Sequence, residues 1–292
     1  MLEKASGCKV NLLLNILGKR PDGYHELETV MHPVGLHDHL EFERAGSGIS
    51  LTCTDPHLPV NSKNLVFRAA TLFLQSTGAG PREGIRIHLR KNIPIAAGLG
   101  GGSGNAATTL LALNELFGHP LQPARLQEIA SSLGSDIPFF LQNRPALATG
   151  RGEIITPLEA FPPLQGTYLV LMHPEFGIST PWAYEQLAKF PAALQGVAGR
   201  AAQLVSSLQK DLAGACRQFY NSLEAPALWK YPLLELFQGH LRENGALAAL
   251  MSGSGSTTFA LAESKKVAEN LLESLKGKFG AGLWTAMLKT TQ

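Results

Sequence analysis

Along the first twenty residues, apolar and polar positions alternate with period two. Lys9, Asn11, Leu13 and Asn15 share one side of an extended segment, and Val10, Leu12, Leu14 and Ile16 share the other. A strand is expected there. The segment Gly18-Lys19-Arg20-Pro21-Asp22-Gly23-Tyr24-His25 follows, and its Pro and Gly residues predict a turn. Ile85, Ile87 and Leu89 alternate with Arg86, His88 and Arg90, which predicts a second strand running into Lys91-Asn92-Ile93-Pro94 and a glycine cluster. After that cluster the period changes to that of a helix. Ala106, Leu110, Leu113 and Phe117 recur on one face with Ala107 and Leu111, Ser103 or Asn105 is placed to cap the start, and Gly118 is placed to end it. Another helix is expected from Pro123 to Leu133, closed by Gly134. Pro138 keeps the segment after Asp136 out of regular helix.

The second half predicts a strand at Thr167–Met172, a helix capped by Thr180-Pro181, and helices over Arg200–Phe219 and Pro232–Asn244. Strands near Ala246–Met251 and Thr257–Leu261, a helix near Ser264–Lys276 and a strand near Leu283–Leu288 complete it. Extra helices aside, the order is β-α-β-β-α-β, the split arrangement of ferredoxin-like folds. The proline-rich Ala160-Phe161-Pro162-Pro163 marks the expected boundary between a domain of residues 1–160 and one of residues 161–292. The fold class is α+β.

Composition narrows the partners. Of 292 residues, 45% are hydrophobic and 16% charged, and 25 Lys and Arg against 23 Asp and Glu leave a formal charge of +2. That balance argues against a broad cationic face for nucleic acid or an anionic membrane and favours a small-molecule substrate. Cys8, Cys53 and Cys216 are too far apart for a disulfide framework or a zinc cage, so a reducing compartment is expected. Glu3 and Asn15 interrupt the start in a way a secretory signal would not, and no apolar run approaches the ~18 residues of a membrane helix. The chain reads as cytoplasmic.

The strongest chemical signal is Gly98-Leu99-Gly100-Gly101-Gly102-Ser103, placed between a strand and a helix start. Backbone N–H groups without Cβ atoms in the way, together with the positive end of a helix, make a phosphate cradle. The bland alternative is a tight turn. The P-loop template fails because Ser103-Gly104 follows Gly102, and the G-x-G-x-x-G dinucleotide fingerprint fails at Ser103. HRD and DFG motifs are absent, as are HExxH and G-x-S-x-G. Lys9 and Asn11 point one way from the first strand, a pattern that a solvated edge strand would also show. Asp136 and Tyr24-His25 taken alone read equally as loop decoration. His37-x-His39 offers two imidazoles without a third ligand, a poor metal site. Ser252-Gly253-Ser254-Gly255-Ser256-Thr257 is either a glycine hairpin or a second anion-facing loop.

Together these pieces resemble a known family. Pro94-Ile95-Ala96-Ala97-Gly98-Leu99-Gly100-Gly101-Gly102-Ser103, followed by Asn105-Ala106-Ala107, is similar to the Pro-x-x-x-Gly-Leu-Gly-Ser-Ser/Gly-Ser signature of the GHMP kinases. Lys9-Val10-Asn11-Leu12, Gly18 to His25, Gly134 to Phe140, Ala148 to Glu153 and Met251 to Thr257 resemble, in order, the branch that phosphorylates a diphosphocytidyl methylerythritol in the non-mevalonate isoprenoid route. The resemblance spans nearly the whole chain. It implies an N-terminal ribosomal-protein-S5-like α+β domain that binds ATP and a ferredoxin-like C-terminal domain on the substrate side. It also implies ATP as phosphoryl donor, Mg²⁺, and a monomer or weak homodimer without nucleic-acid or membrane partners.

Residue by residue, the resemblance makes Lys9 and Asp136 catalytic, with Asp136 as base and Lys9 as its electrostatic partner. Asn11, Tyr24, His25 and Thr180 match substrate-holding positions, and Tyr184 an aromatic that stacks on cytosine. Pro94, Ile95, Ala96, Ala97, Gly98, Leu99, Gly100, Gly101, Gly102, Ser103 and Gly104 match the ATP-phosphate loop, with Asn64 and Lys91 near the adenine. Asn221-Ser222-Leu223-Glu224 departs from the family's Asn-Asp-Leu-Glu at a residue its catalysis does not use. No carboxylate is assigned to the metal; Ser103 is its one suggested contact. Alternatives are another GHMP kinase acting on homoserine, mevalonate or a sugar, and a sensor that keeps the fold without catalysis. Tyr24, His25 and Tyr184 argue against the first, and the intact lysine, aspartate and loop against the second.

Overall fold

A computed structural model describes residues 1–78, 83–142 and 144–290. The chain forms two compact units built from interleaved segments. One takes residues 1–8, 36–94 and 100–143, and the other residues 9–35, 95–99 and 144–292. This differs from the single expected boundary between 160 and 161. The reason is that β1 (Leu2–Lys19) and β2 (His25–Ala45) are long strands, and each begins in one unit and ends in the other.

In the first unit, β2 pairs antiparallel with β4 (Gly84–Arg90), from His39 opposite Arg90 to Ala45 opposite Gly84. β3 (Gly48–Cys53) lies parallel to β4 on its other edge. Three helices cover this sheet: α1 (Leu65–Thr77), α2 (Gly101–Leu116) and α3 (Pro123–Leu133). Their apolar positions recur every three or four residues, as in Val66, Ala69, Ala70 and Phe73 of α1 or Leu126, Ile129, Ala130 and Leu133 of α3. They pack on Leu40, Phe42, Ile85, Ile87 and Leu89, the inward set of the alternation. Asn64 caps α1, its side chain accepting from the Val66 N–H, and left-handed Gly78 ends it. α2 starts earlier than its apolar pattern suggested. Neither Ser103 nor Asn105 caps it; the cap position is Gly100, and Ser103 and Asn105 lie inside the helix.

In the second unit, β2 pairs with β5 (Ala146–Thr149), which turns back into β6 (Ile154–Pro157). A four-stranded antiparallel sheet follows, built from β7 (Tyr168–His173), β9 (Ala248–Met251), β10 (Thr258–Ala262) and β11 (Trp284–Lys289), in the order β11-β7-β10-β9. Between β7 and β9 come α4 (Thr180–Gln186), α5 (Pro191–Leu194), α6 (Arg200–Leu208), α7 (Leu212–Cys216), β8 (Tyr220–Asn221), α8 (Glu224–Lys230) and α9 (Leu233–Glu243). β8 runs parallel to β1, Leu13 opposite Tyr220. With α10 (Lys265–Phe279), the path β7-α9-β9-β10-α10-β11 is the expected ferredoxin-like arrangement. Val170, Met172 and Ala260 of the sheet meet Phe237, Leu241, Leu271 and Leu275 of the two helices in one core. Two helix assignments change. Ser179, not Thr180, caps α4. The helix expected over Arg200–Phe219 divides in two because the Asp211 carboxylate accepts from the Ala213 and Gly214 N–H groups and starts a new helix. Among the described residues no helix is long and apolar enough to cross a membrane.

His32 in β2 is 2% exposed beside Phe161, and burial lowers its pKa from 6.5 to about 4. A neutral histidine in the fold that takes a proton when unfolded gives stability above pH 6.5 that is lost as the pH falls toward 4. Between pH 6.5 and 5 this loss is about 2 kcal/mol. Glu224, pushed up to about 6 by burial, works in the opposite sense: its contribution is present at low pH and lost as the pH rises through 6. His32→Gln should therefore flatten the acid side of the stability profile by about 2 kcal/mol, read from urea unfolding at pH 7 and 5. An unchanged slope would remove His32 from this role.

Candidate active site

The side of β1 that carries Lys9 and Asn11 is buried, with both residues 3% exposed, so the solvated-edge alternative fails. A buried ammonium requires acceptors. The Lys9 Nζ donates to Asn11 Oδ1 at 2.5 Å and to the Gly98 carbonyl at 3.3 Å, and the Lys9 N–H donates to the Leu99 carbonyl at 2.9 Å. Asn11 is fixed in turn: its Nδ2 donates to Thr29 Oγ1 at 2.8 Å, and that hydroxyl donates to the Leu13 carbonyl at 2.5 Å. The chain of bonds sets which atom of the amide faces the lysine.

Gly98 receives this lysine from one side and the Ser252–Thr257 loop from another. Its φ is +76°, and a Cβ there would lie 2.1 Å from the Ser252 carbonyl oxygen, so only glycine fits. Ser252 Oγ donates to the Gly98 carbonyl at 3.0 Å, and the Thr257 N–H to the Ala97 carbonyl at 3.1 Å. The hydroxyl-rich loop thus buttresses residues 97–98. It is held in place by Asn221, whose Nδ2 donates to the carbonyls of Met251 at 2.8 Å and Gly253 at 2.7 Å. Thr180 Oγ1 bonds Ser254 Oγ at 2.8 Å. Ser222, where the family pattern has an aspartate, accepts the Ile16 N–H on Oγ at 3.0 Å.

In the same unit, the Gly18–His25 turn closes with the Arg20 N–H on the Tyr24 carbonyl at 2.7 Å and the Tyr24 N–H on Asp22 Oδ1 at 3.1 Å. That turn presents Tyr24, 55% exposed, with the Arg151 guanidinium 4.6 Å from its ring centre. The His25 and Tyr184 rings lie 5.2 Å apart. Burial first, and the charge of Lys19 second, lower the His25 pKa, which keeps the ring neutral at neutral pH.

Ile95, Ala96, Ala97, Gly98 and Leu99 belong with these residues to the second unit, and Asn64, Lys91, Pro94, Gly100 to Gly104 and Asp136 to the first. Left-handed Gly100 leads into α2 with no side-chain cap, so the N–H groups of the first turn, at Gly101, Gly102 and Ser103, suit an anion. Gly102 is exposed and Ser103 half-buried. Half-buried Asp136 sits on the turn between α3 and the 3-10 helix Pro138–Leu141. Asn64 Nδ2 donates to the Pro59 carbonyl at 2.8 Å while its Oδ1 caps α1, so both ends of its amide are engaged within the protein. Lys91 pairs with buried Asp38. Asp38 went unnoticed in the sequence, although its position in register with Leu40 and Phe42 marks it as an acidic group facing a core. Thr29 carries no mark in the sequence, and the Asn221-Ser222-Leu223-Glu224 pattern shows Asn221 and Glu224 without their roles, which depend on contacts far apart along the chain.

Residues 64–144 match the GHMP kinases N terminal domain and residues 201–281 the GHMP kinases C terminal family. A 4-diphosphocytidyl-2-C-methyl-D-erythritol kinase of Pelotomaculum thermopropionicum is 47% identical over 87% of this chain and 86% of its own. The chain belongs to the GHMP kinases. The like-named kinase of Syntrophus aciditrophicus is 42% identical over 96% of both chains. A crystal structure of 4-(cytidine 5'-diphospho)-2C-methyl-D-erythritol kinase superposes with a TM-score of 0.80 at 35% identity, covering 99% of this chain and all of that one. Homoserine kinase from Cytophaga hutchinsonii, at 20% identity and TM-score 0.76 over 99% of this chain and 94% of its own, shares the fold. The protein is thus a phosphotransferase with ATP as donor and the α+β GHMP fold.

The glycines of the loop separate by what surrounds them. A Cβ on Gly104 would lie 2.3 Å from the Gly7 carbonyl oxygen, whereas one on Gly102 would meet only Leu65 Cδ1, at an ordinary 3.7 Å. Gly104→Ala should destabilise the protein by roughly 2–3 kcal/mol, and Gly102→Ala should leave it unchanged or up to about 1 kcal/mol more stable. Denaturant unfolding of the two variants compares them; equal losses would contradict the packing argument.

Proposed function

We propose that the protein transfers the γ-phosphoryl group of ATP to the 2-hydroxyl of 4-diphosphocytidyl-2-C-methyl-D-erythritol, in the cytoplasmic non-mevalonate route to isoprenoids. The observation that carries this reading is the buried Lys9 ammonium held on the Gly98 carbonyl of the glycine loop, in a chain whose relatives bear that kinase name over nearly their full length.

In this reading Pro94 to Gly104 hold the phosphates, with the N–H groups at the start of α2 on the β- and γ-phosphate oxygens. Asn64 and Lys91 shape the adenine end from within the protein. Asn11, Tyr24, His25, Thr180 and Tyr184 receive the diphosphocytidyl acceptor. Tyr184 supplies a stacking face for cytosine, and the neutral His25 beside it offers one donor and one acceptor to the base edge. As the acceptor oxygen forms its bond to the γ-phosphorus, the bond from phosphorus to the β–γ bridging oxygen breaks and ADP leaves. Asp136 takes the hydroxyl proton, and Lys9 balances negative charge that builds on the moving group. Among the described residues no three His, Cys, Asp or Glu side chains gather as a metal cage. The Ser103 hydroxyl would be the protein contact for Mg²⁺, whose charge would offset that of the phosphates. Residues 1–160 then carry the ATP-binding and catalytic groups together with Asn11, Tyr24 and His25 for the acceptor, and residues 161–292 are the substrate-side domain, in a monomer or weak homodimer.

The deciding experiment offers ATP–Mg with the cytidyl acceptor, homoserine and mevalonate, and weighs the products. A gain of one phosphoryl group on the cytidyl compound alone is expected; turnover of another acceptor in its place would overturn the assignment. Asp136→Asn should lower kcat by roughly 10²–10⁴-fold while ATP affinity holds, and near-normal kcat would remove Asp136 from the base role. Tyr184→Ala should raise the acceptor KM roughly tenfold, the scale of one lost base stack, without moving the KM for ATP. A parallel rise in both would place Tyr184 elsewhere.

A further inference from the structure

Beneath the ends of the glycine segment lies a buried carboxylate. Asp38 is 0% exposed, on the inward side of β2 between apolar neighbours. Its Oδ1 accepts the N–H groups of Asn92 at 2.7 Å and Ile93 at 2.9 Å. Its Oδ2 accepts Asn105 Nδ2 at 3.0 Å and the ammonium of Lys91. Two further bonds reinforce the first stem: Asn92 Nδ2 to the His37 carbonyl at 2.9 Å and the Lys91 N–H to Thr54 Oγ1 at 3.0 Å. The donors therefore come from the three residues just before Pro94 and from the residue just after Gly104. One side chain fastens both ends of the loop.

We propose that Asp38 is a positioning residue for ATP, fixing where the Gly101–Ser103 N–H groups point by clamping the two stems of the phosphate loop. Lys91 completes the device by cancelling the charge of Asp38, so no net negative charge lies under a site meant for phosphates. A carboxylate buried only to staple the core would have no need to collect donors from both ends of a single loop. The inference rests on the ATP-loop reading above and extends it to a residue that never touches the nucleotide.

The test uses Asp38→Asn in the full chain. The substitution keeps the shape and one acceptor oxygen, but turns an N–H₂ group either toward two N–H groups or toward an ammonium and an amide. Affinity for the Mg²⁺ complex of a non-hydrolysable ATP analogue is measured by calorimetry, beside KM for each substrate and the melting temperature. Expected is a tenfold or greater loss of analogue affinity and an equal rise in KM for ATP, with the acceptor KM within twofold of the parent. A purely structural role would lower melting temperature and active fraction and leave both KM values alone; that result, or analogue affinity within twofold of the parent, overturns the proposal. Should Asp38→Asn not fold, Asn105→Leu removes one stem contact and should weaken the analogue about fivefold, and unchanged affinity there overturns it equally. The calorimetric arm is independent of the acceptor. A parent protein that binds the analogue yet fails to phosphorylate the cytidyl compound would defeat the substrate assignment while still deciding on Asp38.

Discussion

An ammonium group taken out of water must find lone pairs, and the structure of the site follows from how Lys9 finds them. Among its acceptors are Asn11 Oδ1, two residues along the same strand, and the carbonyl of Gly98. Because that carbonyl belongs to the loop backbone, satisfying the lysine also fixes the loop. The bond from the Lys9 N–H to the Leu99 carbonyl repeats the constraint one residue on. A charge is thereby held at a glycine-rich backbone, and the place of the ammonium and the conformation of the loop are set together. The burial that makes the arrangement demanding also raises the value of that charge, since less water screens it.

The supports behind Gly98 come from distant parts of the chain. Ser252 shares its carbonyl with Lys9, Asn221 holds the backbone at Met251 and Gly253, and Glu224 accepts the Met251 N–H at 2.8 Å. The short Asn221-Ser222-Leu223-Glu224 stretch is therefore a bracket for the hydroxyl-rich loop rather than a place of chemistry. This explains why serine suffices at 222. The duty there is to accept one N–H, from Ile16, and a hydroxyl does so without burying a further charge.

Elements with a regular period were readable from the sequence. β1, β4, α3, and the β-α-β-β-α-β order stand where the alternation and the caps put them, since each is governed by neighbours two to four residues away. The glycine loop was readable as a place, because strand, glycines and helix start are consecutive. What could not be read is what depends on contacts across the chain. Asp38 looked like a spacer between two histidines, whereas its partners begin at Lys91. Asp211 looked like a residue inside a helix and instead divides it, a competition between side-chain and backbone bonding that apolar periodicity does not register. The interleaved units escaped notice for the same reason: a single cut assumes that a strand serves one body, and β1 and β2 serve two.

The glycines of the loop read in sequence as one space for phosphate, and the packing gives them separate duties. Gly98 is glycine because the Ser252 carbonyl presses on it, and Gly104 because the Gly7 carbonyl does. Each lets the loop lie against backbone on its own side, Gly98 in one compact unit and Gly104 in the other. Gly100 turns the chain into α2 through a left-handed conformation. Gly101 is crowded by Ile93, whose Cγ2 a Cβ there would meet at 2.9 Å, whereas Gly102 is exposed and uncrowded. A cluster that reads in sequence as one ligand-binding feature is thus mostly a device for bringing backbone against backbone. The carbonyls of Ala97 and Gly98 are taken by Thr257, Ser252 and Lys9, whereas the N–H groups of the first turn of α2 have no carbonyl partner within the helix, so the same short segment spends its acceptors on the protein and keeps its donors.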